Sequence, residues 1–230
     1  MRHYFLNLIV LAHFIFLSPL FAETQVSGRV TFEGTPPAPE TIKIKSEIGT
    51  CGNAKEINPL ILGGGGGVAD AVVTIVGIQG MSAPGPKVGR LDQEKCEYKP
   101  HVQILPVGSM LKVRNSDPIY HNTHGFNEDG STAFNIEVPT VGIEVPTKIR
   151  QPGVIKVRCD AGHTWMTAYV VGVDQPHYAL TDRNGNFEIA GVAPGNYEIE
   201  VWHEWLGKYR EPITAREGSE PITITLKKSS

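Results

Sequence analysis

This chain of 230 residues has only three cysteines and no Cys-x-x-Cys-His segment, so covalently attached haem is excluded. It has no surplus of one charge: 21 Lys and Arg stand against 24 Asp and Glu, a net of −3. Nothing in that balance recruits nucleic acid or an anionic membrane, and neither is expected as a partner. A Ser, His and Asp order, a paired acidic motif and a cofactor loop are all missing, which counts against a hydrolase, and the chain is not expected to be an enzyme. The five-glycine run at 63–67 lacks the Lys-Ser/Thr and following helix of a phosphate cradle, so it is expected to be a flexible connection. Helical periodicity is scarce along the whole length.

A single apolar run, residues 6–17, follows Arg2 and His3 and precedes Ser18-Pro19-Leu20-Phe21-Ala22. Residues 1–22 therefore read as a secretory signal with a small residue at the cut. The alternative, an uncleaved anchor, meets the difficulty that about 12 residues interrupted by Asn7 and His13 are too few to span a bilayer. A periplasmic or secreted protein with no membrane span after cleavage is expected. Without Arg2 the balance becomes 20 basic against 24 acidic residues, a net of −4.

What recurs is period-two alternation: Val26, Gly28, Val30 and Phe32; Ile155, Val157 and Cys159; Ile222, Ile224 and Leu226. Turn signals separate such runs, among them Asn115-Ser116-Asp117-Pro118, Arg183-Asn184-Gly185 and Pro194-Gly195-Asn196. The fold class is all-β, built of sandwiches. A stretch rich in Pro and Gly at 81–89 is a candidate boundary.

The C-terminal third carries Thr181-Asp182-Arg183-Asn184-Gly185-Asn186-Phe187-Glu188-Ile189 and then Val192-Ala193-Pro194-Gly195-Asn196-Tyr197-Glu198-Ile199. Asn184-Gly185 supplies the positive-φ pair of a tight hairpin, and Pro194-Gly195 a second turn. This pattern resembles the transthyretin-like, carboxypeptidase-regulatory-like β-sandwich. The resemblance implies that the family's first strands correspond to Val26-Ser27-Gly28-Arg29-Val30 and Ala71-Val72-Val73-Thr74-Ile75, far upstream. A central segment would then be inserted in, or joined to, this sandwich, although Ala71 to Ile75 fits the opening of the central segment equally well.

Two central segments carry chemistry. One runs Leu111-Lys112-Val113-Arg114-Asn115-Ser116-Asp117-Pro118-Ile119-Tyr120-His121-Asn122, the other Val157-Arg158-Cys159-Asp160-Ala161-Gly162-His163-Thr164-Trp165-Met166. A blue-copper site needs one thiolate, two imidazoles and a weak axial thioether, and these segments offer that set. Cys159 ends a strand, and His163 and Met166 follow on one short loop. The segments resemble the cupredoxins of the plastocyanin, amicyanin and azurin group over roughly residues 96–174. The resemblance implies one type 1 copper held by His121, Cys159, His163 and Met166, with Asn122 hydrogen-bonding near the thiolate and locking the two segments together. The three residues between Cys159 and His163 differ from the two of amicyanin-type and plastocyanin-type loops and the four of azurin-type loops. His124 is an alternative ligand if the turn is read differently; otherwise it is a solvated side chain. Trp165 either packs under the ligand loop or lies on an electron path. The whole chain resembles bacterial secreted proteins that combine the two modules, with 1–22 as signal, 23–80 as N-terminal strands of the transthyretin-like sandwich, 81–174 as cupredoxin and 175–230 as the rest of that sandwich.

An odd cysteine in an exported chain is a hazard unless a metal holds it. With Cys159 so committed, Cys51 and Cys96 remain to form a disulfide worth roughly 3 to 4 kcal/mol by the loop-entropy model; the alternative is two buried thiols. In Val201-Trp202-His203-Glu204-Trp205, His203 and Glu204 alternate across a strand and do not converge on one metal. The resulting expectation is an exported one-electron carrier exchanging with a redox protein such as a cytochrome through the exposed edge of His163, with Trp165, Pro118 and Ile119 as docking patch. Competing functions are copper delivery or storage, and a surface or carbohydrate-facing module with a vestigial copper site.

Overall fold

Alternation builds the strands: Thr132–Val138 buries Phe134, Ile136 and Val138 and turns Asn135 and Glu137 to solvent. The computed structural model describes residues 24–78 and 83–228. The signal expected at 1–22 and the boundary position at 80/81 lie outside the described residues. Along the chain come β1 (Thr24–Phe32), β2 (Glu40–Lys43), a short helix α1 (Ile48–Cys51), β3 (Ala54–Ile57), β4 (Val72–Val76), β5 (Val88–Gln93), β6 (Tyr98–Lys99), β7 (Val102–Pro106) and β8 (Met110–Asn115). There follow β9 (His121–Phe126), β10 (Thr132–Val138), β11 (Glu144–Lys148), β12 (Gly153–Arg158), β13 (Thr167–Val173), β14 (Tyr178–Leu180), β15 (Asn186–Val192), β16 (Gly195–His203), β17 (Gly207–Ala215) and β18 (Ile222–Leu226). The protein is all-β. Among the described residues no helix is long and apolar enough to cross a membrane.

Strands β5 to β13 form two sheets, ordered β10-β9-β12-β13-β7 and β11-β8-β5-β6, around a core that includes Leu91, Leu111, Val113, Phe134, Val157 and Val170. Strands from both ends of the chain form two others, β15-β1-β18 and β14-β4-β16-β17, around Val30, Val73, Ile75, Phe187, Ile199 and Ile224. Residues 71–75, ambiguous in sequence, thus join the sheet of C-terminal strands, with Val73 opposite Val201. Strand β4 is buried on both faces, because its alternate side chains serve different cores. Val73 and Ile75 face β1 and its neighbours, while Val72 packs with Trp202 against Val102, Tyr169 and Val171 of the central sheets.

The glycine run does not behave as a flexible connection. Residues 64–66 form a single tight turn, and Arg29 holds it by donating to the carbonyls of Gly64 and, at 2.8 Å, Asn184. A Cβ on Gly67 would lie 1.8 Å from the Asn184 carbonyl oxygen. Close approach to the 183–185 turn, and not flexibility, requires glycine there.

The β2–β3 ribbon with α1 lies against the central sheets. Ile44 and Cys51 are buried in their core, and Lys55 Nζ reaches the Glu97 carboxylate at 2.5 Å and the Lys95 carbonyl at 2.6 Å. Cys51 and Cys96 are joined by a disulfide across 45 residues, leaving Cys159 as the free thiol.

Candidate metal centre

The site begins in the β8–β9 turn. Asn115 Oδ1 accepts the Asp117 N–H at 2.9 Å, an Asx turn, while its Nδ2 donates to the carbonyls of Ile119 and Val138 at 2.8 and 2.9 Å. The turn delivers the Asp117 carboxylate to His121 Nε2 at 2.9 Å. From the other side, Lys95 and Cys96 both adopt left-handed backbone, at φ 54 and 57, so that two successive N–H groups point at that carboxylate from 2.6 and 2.7 Å. His121 opens β9, and period two sends it and Thr123 inward, each 0% exposed. Asn122 and His124 take the other face.

Cys159 follows the last residue of β12. The loop from 159 to 166 turns at Gly162, φ 91, and closes with the Met166 N–H donating to the His163 carbonyl at 2.9 Å. This brings His163 Nδ1 to 3.2 Å from His121 Nδ1 and 3.5 Å from Cys159 Sγ. The three donor atoms lie within 4.8 Å of one another, on buried residues. Met166, 1% exposed, is buried in the same core as Cys159.

On the far side of His163, Nε2 meets the Glu47 carboxylate at 2.5 Å. Both imidazoles therefore carry their Nε2 proton toward a carboxylate, which only accepts. In the neutral tautomer so fixed, two Nδ1 lone pairs face each other at 3.2 Å beside a thiol sulfur. That arrangement is repulsive unless a cation or a proton lies between them. Burial, joined by the neighbouring His163, holds His121 below its usual pKa despite the Asp117 contact, which disfavours the proton. The donor set of two nitrogens and a soft sulfur fits a copper or zinc ion. Burial also pushes the Cys159 thiol up, against the opposing pull of the backbone groups of Asn122, Ala161 and His163. A bound metal would displace that thiol proton. The disulfide sulfurs also lie close to a His163 nitrogen but offer no thiolate.

Asn122 bridges the ligand segments: Oδ1 accepts the Asp160 N–H at 3.5 Å, and Nδ2 donates to Asn135 Oδ1 at 2.7 Å. Tyr98, unmarked in the sequence, does the same by donating to the carbonyls of Asn122 and Arg158 at 2.6 and 3.2 Å. Trp165 donates to the Cys96 carbonyl at 3.0 Å, and its ring stands edge-on to His163 with centroids 5.3 Å apart. His124 does not join the donors. It is held by Asp160 at 2.6 Å and Thr132 at 2.9 Å on the opposite strand face, so the alternative ligand assignment falls on strand periodicity. His203 and Glu204 diverge: Glu204 pairs with His101 Nε2 at 2.5 Å, whereas His203 Nδ1 accepts the Trp205 N–H at 3.2 Å.

One expectation is overturned. His163 is not an exposed edge at the tip of the sandwich; it is 3% exposed, because Glu47 covers its outer nitrogen. Sequence reasoning missed Glu47 and Asp117. Asp117 had a local signal, four residues before His121 in an Asn-Ser-Asp-Pro turn, whereas Glu47 lies 116 residues from His163 and had none.

No protein-family model and no curated protein sequence matches this chain. Among solved structures it is similar to a purple cupredoxin from Nitrosopumilus maritimus, with 20% identity over 37% of this chain and 99% of that one, at a TM-score of 0.32. It is also similar to amicyanin from Paracoccus versutus, with 14% identity over 44% of this chain and 97% of that one, at a TM-score of 0.33. A third likeness is a copper-containing nitrite reductase from Thermus scotoductus, with 18% identity over 43% of this chain and 25% of that one, at a TM-score of 0.32.

Proposed function

We propose that this chain is an exported one-electron carrier whose type 1 copper is held by His121, Cys159 and His163, with Met166 as axial ligand. The observation that carries the reading is the convergence of two inward-facing Nδ1 atoms and one free thiol, each imidazole backed by a carboxylate on its outer nitrogen. When bound, copper in such a donor set would supply a reversible Cu(II)/Cu(I) couple. The chain's own residues do the rest. Asp117 and Glu47 fix the tautomers and ring orientations, Asn122 and Tyr98 tie β9 to the end of β12, and the buried core around Cys159 excludes water. Four protein ligands leave no open position for a substrate, which favours a carrier over an enzyme.

In the same reading the sheets built from β1, β4 and β14 to β18 are a transthyretin-like sandwich into which a cupredoxin is inserted, residues 1–22 are a signal, and the protein works in the periplasm or outside the cell. Its partner is a redox protein of the cytochrome kind.

The test is a visible spectrum of protein loaded with Cu(II). An intense thiolate-to-copper charge-transfer band is expected, and Cys159→Ala abolishes it because only a thiolate gives that transition. A band that survives in the variant overturns the ligand assignment. Cu(I) binding without a redox-active Cu(II) state would point to delivery or storage instead, and no metal uptake to a vestigial site.

A further inference from the structure

Glu47 occupies a conformation that its own segment does not explain. Its backbone is left-handed, φ 54 and ψ 29, which a residue with a Cβ rarely adopts, and it precedes α1 without using its side chain to cap that helix. The carboxylate instead reaches His163 Nε2 at 2.5 Å. The segment around it is anchored on both sides: Ile44 is buried in the central core and donates nothing to solvent, its N–H going to the Asn53 carbonyl at 3.0 Å, and Cys51 is bonded to Cys96. Cys96 is also the residue whose N–H holds Asp117, the carboxylate behind His121. One disulfide thus ties together the two backbone segments that orient the two imidazoles.

We infer that residues 44–52 form a disulfide-pinned cap on the donor cluster, and that Glu47 is a positioning residue which fixes the His163 tautomer and closes its outer edge. By accepting the Nε2 proton, Glu47 leaves the Nδ1 lone pair facing His121 and Cys159. By covering that nitrogen, it holds His163 at 3% exposure although the Glu47 side chain itself remains 37% exposed. Metal therefore exchanges only when the cap lifts. The statement about metal exchange rests on the copper reading; the statements about tautomer and access do not.

The test separates the two. Metal-free full-length protein is treated with diethyl pyrocarbonate, and the modification of each histidine is followed by peptide mass spectrometry, with added Nα-acetylhistidine as the reference for an uncovered imidazole. His163 should react at least tenfold more slowly than the free imidazole of the reference. Glu47→Ala should raise the His163 rate about tenfold, leave His101 unchanged and broaden the ring-nitrogen NMR signals into a tautomer mixture. Glu47→Gln, whose amide oxygen still accepts the Nε2 proton, should keep both the slow rate and the single tautomer. If His163 in the native chain reacts as fast as the reference, or if Glu47→Ala changes neither rate nor tautomer, the cap is refuted. For copper-loaded protein, removal of Cu(I) by a chromophoric chelator should quicken about tenfold in Glu47→Ala and in the Cys51→Ser, Cys96→Ser double variant, and unchanged rates in both refute gating by the cap. If the protein takes up no copper, the carrier function fails while the labelling rates still decide the cap.

Discussion

Asp117 Oδ2 and His121 Nε2 are 2.9 Å apart, with both side chains almost fully buried and two backbone N–H groups completing the carboxylate's shell. Three donors thus converge on the carboxylate, one on Oδ1 and two on Oδ2, and both oxygens must accept, which an amide cannot reproduce. Asp117→Asn places an NH2 group either against the Lys95 N–H or against both the Cys96 N–H and His121 Nε2. Loss of about 2 to 4 kcal/mol in urea unfolding is expected, in the range for a broken buried charge-assisted network. Metal affinity should fall by about 10- to 100-fold in a competition titration, since the ring loses its outer orienting bond. A variant as stable as the native chain would remove Asp117 from that role.

Met166→Gln should keep copper bound but lower the reduction potential, because a harder oxygen donor favours Cu(II) over Cu(I). Voltammetry that finds the same potential in the variant moves the axial role away from Met166.

His203 is buried, 3% exposed, and burial pushes its pKa down to about 4 despite the nearby Glu204 charge. An unfolded histidine titrates near 6.5. The unfolded chain therefore takes up a proton that the native chain refuses: the stabilisation is full above about pH 6.5 and is lost as pH falls toward 4, about 3 kcal/mol in all. His203→Asn retains an acceptor for the Trp205 N–H but cannot titrate. Urea midpoints at pH 7 and pH 4.5 should differ less in the variant than in the native chain, and equal pH dependence in the two would contradict a neutral buried His203.

Gly67→Ala should cost about 3 kcal/mol or more, because the added methyl would sit 1.8 Å from the Asn184 carbonyl oxygen and only the backbone of the 183–185 turn could yield. Gly85→Ala, with nothing within 4 Å of the added atom, is the matched control. Equal melting temperatures in the two variants would mean that the glycine run is loose after all.

All-β character was legible in sequence because side-chain alternation is a local consequence of the pleat: in the run read from sequence, Val26, Gly28 and Val30 are buried while Ser27, Arg29 and Thr31, which alternate with them, are half-buried. Cys159, His163 and Met166 were legible as one loop because eight consecutive residues between two strands can only fold back on themselves. The count of cysteines left Cys51 and Cys96 as partners once Cys159 was set aside, and the two are bonded. Tertiary structure alone decided the remainder. Composition marked the glycine run as flexible, yet its conformation is set by the 183–185 turn packed on it from more than a hundred residues away. Whether His121 or His124 faced inward depended on the phase of β9 against its neighbours, which pairing with β10 and β12 imposes. His163 looked exposed because its own loop contains nothing to cover it. The cover comes from Glu47, held there by a disulfide and a buried Ile44, and no pattern local to either segment encodes that meeting.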